Sequence, residues 1–181
     1  GKTTLGRATL RLVPTADGRV VFEGQDIADL EGADLLRFRR RAQAIFQDPF
    51  SSLSPYMRVG QLVEEPLVIH GPGDRAERER IVLAALEQVK LRPATEFADK
   101  YPSEFSGGQL QRISIARALL TDPTLLIADE PVSMVDASLR STILKSLRAM
   151  NQEFGIPILY ITHDLTTAYH ISDYIVILYR G

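Results

Sequence analysis

Cysteine is missing from this chain of 181 residues, and so is tryptophan. Without cysteine there is no disulfide framework and no thiolate metal site, and a reducing compartment is allowed. Neither sign of charge prevails: 21 Lys and Arg stand against 23 Asp and Glu, a net −2. A wide phosphate-backbone interface needs a basic excess that this chain lacks. No apolar run approaches the roughly 20 residues of a membrane span, and the first residues do not read as a secretory signal. Any membrane role must therefore come through a partner. What is present is a chain 45% hydrophobic and 24% charged, the composition of one globular domain with a sizeable core.

The two ends read as cut. "GKTTLGRATLRLV" opens on Gly-Lys-Thr, whereas a phosphate-binding loop has the form G-x-x-x-x-G-K-[ST] on a strand-to-helix turn. Gly1 would be the second glycine of that loop. At the other end "DYIVILYRG" reads as a strand that stops at a turn residue. The expectation is a fragment of a longer protein, truncated at both ends.

Between the ends the elements alternate. Residues 2–13 suit a helix, 18–24 a strand, 33–41 a basic helix and 42–47 a short strand. Pro and Ser make 48–55 a loop, and "VGQLVEEPLVIHG" is at least partly helical. Residues 74–91 form an amphipathic helix behind Asp74, a suitable N-cap, with Ile81, Val82, Ala85, Leu86 and Val89 at helical spacing. A helix over 109–120 precedes "TLLIAD", whose continuous apolar run suits a buried parallel strand. A further amphipathic helix carries Leu139, Ile143, Leu144, Leu147 and Met150, and "IPILYIT", a short helix and a strand at "YIVILY" complete the pattern. Apolar strands separated by helices predict an α/β parallel sheet. The expected division is a core of residues 1–55 and 121–181 with a helical lobe at about 56–120 inserted.

Four short stretches carry chemistry. In "GKTT", Lys2 could reach β- and γ-phosphates and Thr3 could ligate Mg²⁺; the plainer reading is a capped helix start. "TLLIADEP" ends an apolar strand in Asp129 and Glu130, at the sheet edge where open α/β folds bind ligands. There Asp129 can hold Mg²⁺ and Glu130 can polarise an attacking water, the alternative being a solvated acidic turn. In "LYITHDL", His163 ends another strand within reach of a γ-phosphate, and Asp164 can cap the next helix. In "IFQDP", Gln47 ends a strand with an amide able to bind both Mg²⁺ and water. A lone histidine or glutamine would mean little.

"EFSGGQLQR" adds a second anion site: a hydroxyl, two glycines and a helix N-terminus supply backbone donors, open space and a favourable dipole. Two phosphate sites in one chain suggest one nucleotide held from opposite sides. With these five stations in order, the chain closely resembles the ATP-binding cassette family along almost its whole length. The stations are a truncated Walker A "GKTT", a Q-loop "FQDP", the signature "FSGGQLQR", a Walker B "LLIADEP" with D-loop "SMVDASL", and the switch "ITHD". The resemblance implies a P-loop NTPase-type core with an inserted helical subdomain, and ATP with Mg²⁺ as ligands. It implies that Gly1, Lys2, Thr3 and Thr4 bind the chain's own nucleotide, and that Ser106, Gly107, Gly108 and Gln109 bind the nucleotide held by a partner. Asp136 would lie along that dimer seam. Glu130, His163 and Gln47 would be catalytic, and Thr3, Gln47 and Asp129 would hold the metal.

"QAIFQDPFSSLSPYMRVGQLVEEPLVIHG" and "YPSEFSGGQLQRISIARAL" are similar to the ATP-binding subunits of di- and oligopeptide importers, where Phe105 replaces a more usual leucine. Met134 and Val135 depart from the alanine and leucine usual in that group. Nickel and some sugar importers share these segments and are the alternatives for the solute. The implied partners are a second cassette, identical or different, transmembrane permease subunits and, indirectly, an extracytoplasmic solute-binding protein, with no nucleic acid. The implied location is peripheral, on the cytoplasmic side of the cell membrane. The rival classes are a soluble cassette ATPase and a non-catalytic regulatory half; 42–71 argues against the first, and Glu130, His163 and an intact "SGGQ" argue against the second.

Overall fold

A computed structural model describes residues 1–46, 52–70, 73–133 and 137–179, leaving aside the side chains of 137–139. The chain begins with helix α1 (Lys2–Thr9) and a small antiparallel hairpin, β1 (Val21–Phe22) and β2 (Gln25–Asp26). Glu23 and Gly24 form its two-residue turn with φ of 51° and 82°, the positive values that turns matching hairpin twist require. Helix α2 (Gly32–Arg41) runs straight into strand β3 (Ala42–Ile45).

Among the described residues four α-helices follow: α3 (Val59–His70), α4 (Arg75–Gln88), α5 (Ala94–Ala98) and α6 (Gly107–Leu119). Asp74 caps α4 as its spacing predicts, accepting a hydrogen bond from the Glu77 N–H at 2.9 Å. Strand β4 (Leu125–Asp129), helix α7 (Ala137–Phe154), strand β5 (Ile158–Ile161) and helix α8 (Leu165–Ile171) complete the chain. The strands lie in the order β3-β4-β5, all parallel, with Ile45 beside Ala128 and Asp129 beside Ile161. Parallel neighbours need long crossovers, supplied by α3–α6 between β3 and β4 and by α7 between β4 and β5.

The apolar run of β4 serves both faces of the sheet. Leu126 and Ala128 join a cluster with Ile115, Ala118, Ile143 and Leu147. Ile127, pointing the other way, joins Leu10, Phe38, Ala42 and Ile161. A third cluster lies within the helices, built on Val59, Leu62, Val63, Leu86, Leu110 and Ile113. Each such side chain taken out of water contributes roughly 1.5–3 kcal/mol. Helix α6 belongs to two clusters: Leu110, Ile113 and Ala116 face the helices, while Ile115 and Ala118 face the sheet. Helix α3 is tied to its neighbours by Arg78–Glu64 at 2.7 Å and by Arg117–Glu65.

Several expected boundaries move. The first helix stops at Thr9, and in 18–24 only two residues pair as strand, because the turn at Glu23 folds them onto Gln25–Asp26. The signature helix starts at Gly107 rather than 109, since the first-turn N–H groups have no intrahelical partner and glycine is tolerated there. The expected loop at 48–55 falls partly outside the described residues. The expected strand at "YIVILY" is absent, and Val176, Ile177 and Tyr179 are exposed. A strand exists only through a hydrogen-bonded neighbour, and a cavity of about 660 Å³ separates residues 174–178 from β5.

Candidate functional site

The carboxyl ends of β4 and β5 meet the N-terminus of α1. Helix α1 approaches closely because Gly6 has no side chain: a Cβ there would stand 2.6 Å from Ile161 Cδ1 on β5. This seats Thr3 beside the end of β4, where its Oγ1 donates to Asp129 Oδ1 at 3.4 Å, a long hydrogen bond. Gly1 is the N-cap of α1, Lys2 is half-buried and Thr4 is exposed. Lys2 and Arg7 both bring positive charge towards Asp129. Asp129 is buried, and burial is the main reason its carboxyl is held above its ordinary pKa. The neighbouring Glu130 pushes the same way, while Thr3, Arg7 and Lys2 oppose it.

Glu130 has φ of +50°, a left-handed conformation that costs a residue with a Cβ roughly 1–2 kcal/mol. Three hydrogen bonds hold it there. Its N–H donates to the Ile161 carbonyl at 2.8 Å, and its carbonyl accepts from the Ser133 N–H at 3.1 Å and the Ser133 hydroxyl at 2.9 Å. Strain that the surroundings impose on a carboxylate points to a functional position. The side chain meets His163: Nδ1 lies 2.7 Å from Oε1 and 2.6 Å from Oε2. Because the carboxylate accepts, Nδ1 carries the proton. The Glu130 side chain is 12% exposed and that of His163 is 69% exposed, so a sheltered carboxylate is paired with an imidazole open to solvent. Asp164, next in the chain, caps α8 by accepting from the N–H groups of Thr166 and Thr167.

A cavity of about 700 Å³ opens from this edge towards the helices, bounded by Thr3, Arg7, Ile45, His70, Arg117 and Asp129. His70 titrates below its ordinary pKa, through burial and then the positive charge of Arg40. The donors at this edge suit a magnesium ion, with a hydroxyl beside a carboxylate whose charged form burial disfavours. Among the described residues no group of three or more His, Cys, Asp or Glu is placed to hold a metal ion. Magnesium fits such a sparse set because it takes its remaining ligands from phosphates and water.

The glycine pair lies elsewhere. Ser106 is the N-cap of α6: its Oγ accepts from the Gln109 N–H at 3.4 Å, and Gln109 Oε1 accepts from the Ser106 N–H at 2.9 Å. Gln109 thus spends its side-chain oxygen on the helix end. Helix α6 reaches the cavity with Ser114, Arg117 and Ala118, so Ser106 stands eight residues, about 12 Å of helix rise, from the first of them. The structure therefore brings Thr3, Asp129, Glu130 and His163 together and keeps Ser106, Gly107 and Gly108 apart from them. Gln47 and Asp136 lie outside the described residues, as do Met134 and Val135.

Two neighbours went unforeseen. Arg7 is four residues after Thr3, hence on the same face of α1, a spacing that could have singled it out. Ser133, which clamps the Glu130 carbonyl, carries no sequence signal of that role.

Residues 1–133 match the family model described as ABC transporter. A putative peptide import ATP-binding protein of Brucella ovis is 48% identical over 181 residues, all of this chain and 56% of that protein. A glutathione import ATP-binding protein of Pectobacterium atrosepticum is 45% identical, again over all of this chain but 29% of its own length. The chain thus spans about half the length of the first of these relatives, and less of the second. Among solved structures, a dimeric post-hydrolysis state of the ATP-binding cassette MJ0796, bound to ADP and Pi, superposes with a TM-score of 0.78. It is 30% identical, covering 93% of this chain and 72% of that one.

Proposed function

Because this chain belongs to the ABC transporter family, we propose that it is the ATP-binding and ATP-hydrolysing part of a peptide importer. The observation that carries the reading is the Glu130–His163 pair at the sheet's carboxyl edge, beside Thr3 and Asp129. Lys2 and the N-terminus of α1 receive the β- and γ-phosphates. Thr3 and Asp129, joined by Gln47, hold Mg²⁺, which when bound offsets phosphate charge. Glu130 accepts a hydrogen bond from the attacking water and raises its nucleophilicity. His163, released from the carboxylate by the incoming phosphate, donates to a γ-phosphate oxygen. Their work is positioning and electrostatics rather than covalent chemistry.

Ser106, Gly107 and Gly108 bind the γ-phosphate held by a second cassette, and Asp136 lies on the seam between the two. Their distance from the chain's own Thr3–Asp129 edge supports that reading, and MJ0796 is itself described as dimeric. The ATPase core is 1–55 with 121–181 and the helical lobe about 56–120, in keeping with the separate cluster around Val59 and Leu86. Among the described residues no helix is long and apolar enough to cross a membrane. Transmembrane permease subunits provide the passage, a solute-binding protein delivers the solute, and the cassette works on the cytoplasmic side. The names of the Brucella and Pectobacterium relatives support a peptide as the solute.

The test is reconstitution of the full-length protein with its permease subunits in lipid vesicles. Magnesium-dependent ATP hydrolysis should accompany uptake of labelled di- or oligopeptides. Turnover coupled to nickel or a sugar, and not to peptides, would overturn the solute. Turnover with no dependence on membrane subunits would favour a soluble ATPase.

A further inference from the structure

Gln111 is 0% exposed, and among the described residues neither its side-chain oxygen nor its nitrogen has a hydrogen-bond partner. Buried polar atoms are nearly always paired, so an orphaned amide asks for a reason. Its place narrows the reason. Helical periodicity puts Gln111 on one stripe of α6 with Ile115 and Ala118, the residues that face the sheet in a cluster with Ile45 and Val132. The same stripe continues one turn back to Gly107 and Gly108 at the helix N-terminus. Gln111 therefore lies on the sheet-facing side of α6, one turn after the glycine pair and one turn before Ile115, which shares its cluster with Val132. Leucine or methionine at that position would fill the space without orphaned atoms.

We propose that Gln111 is a positioning residue for ATP turnover, its amide pairing with the backbone of the 131–133 loop in a second arrangement in which α6 has slid along the sheet. The proposal rests on the ATPase reading above. A phosphate drawn against Gly107 and Gly108 pulls on the end of this stripe, and Gln111 is the first buried polar side chain along it. An amide without a partner in one arrangement and paired in the other biases the equilibrium towards the second. It thereby links contact at the glycine pair to the loop beside Glu130.

The test compares full-length wild type with Gln111→Met and Gln111→Leu. Without nucleotide, both variants should melt at the wild-type temperature or above it. At saturating ATP their turnover should fall about tenfold, the share of one buried hydrogen-bonding group, with KM for ATP little changed. A lower melting temperature in both variants, or failure of both to fold, would show that the amide already has a partner, and would overturn the proposal. So would stable variants with wild-type turnover. A wild-type protein that hydrolyses no ATP would overturn the ATPase reading along with this one, whereas active, indifferent variants sink this one alone.

Discussion

One methyl group at Gly6 should test how α1 is seated, and with it the geometry of Thr3 and Asp129. Alanine at an interior helix position is favoured over glycine by about 1 kcal/mol. Against this, the new Cβ would lie 2.6 Å from Ile161 Cδ1, with Ile127 Cγ2 at a comfortable 3.5 Å. Ile161 is 6% exposed, so its terminal methyl has to find room within a packed core, and overpacking of that kind costs about 1–3 kcal/mol. The balance is a loss of roughly 0–2 kcal/mol for Gly6→Ala. Ile161→Val removes the offending methyl and by itself costs about 0.5–1.5 kcal/mol. If the two effects were independent, the double variant would lose about 2 kcal/mol. The contact predicts otherwise: with Cδ1 gone the helix gain is realised, and the double variant should return close to wild type.

Urea titration of the full-length protein, followed by far-UV circular dichroism, measures all four corners of this cycle. ATP turnover adds a second readout. The Ile161 carbonyl holds the Glu130 N–H, so displacing Ile161 disturbs both sides of the site, and Gly6→Ala should lose turnover that Ile161→Val restores. Strict additivity, or a Gly6→Ala variant stabilised by the full helix increment, would show that α1 does not rest on Ile161.

Glu130→Gln should keep ATP binding, lose most turnover and trap a closed dimer, because an amide keeps the shape but polarises water poorly; near-normal hydrolysis would remove Glu130 from its role. Ser106→Arg or Gly108→Asp should abolish hydrolysis and leave ATP binding to the isolated monomer nearly intact, as equilibrium binding to the monomer can check. A collapse of monomer affinity would mean that the glycine pair serves the chain's own nucleotide. Asp129 has its folded pKa raised, chiefly by burial, so its stabilising contribution is present at low pH and lost as pH rises through that value. Magnesium needs the charged form, so Mg–ADP affinity measured by calorimetry should weaken as pH falls through the same value. Asp129→Asn should flatten that dependence, and an equal slope in both proteins would assign the titration to another group.

Local signals were legible where local physics decides. Asp74 and Asp164 were readable as caps because a cap needs only its own side chain and the next few N–H groups. Strand β4 was readable because a strand covered on both faces must be apolar throughout. "YIVILY" has the same apolar character and forms no strand, since composition cannot report whether a neighbouring edge lies within hydrogen-bonding reach. The site divides along the same line. Motif and order single out Thr3, Asp129, Glu130 and His163, and the structure gathers them at one edge. The left-handed backbone of Glu130 is invisible in "LLIADEP", because it is imposed by Ile161, thirty-one residues away in the sequence, and by Ser133. Gln111 is hidden for the opposite reason: in "SGGQLQR" it reads as an ordinary polar helix residue, and only the packing of α6 against the sheet buries it. A carboxylate under strain and an amide without a partner are both costs that the local sequence does not explain. The first stands at the sheet edge and the second one turn from the glycine pair, and a molecule that must change arrangement during its work has reason to keep such costs.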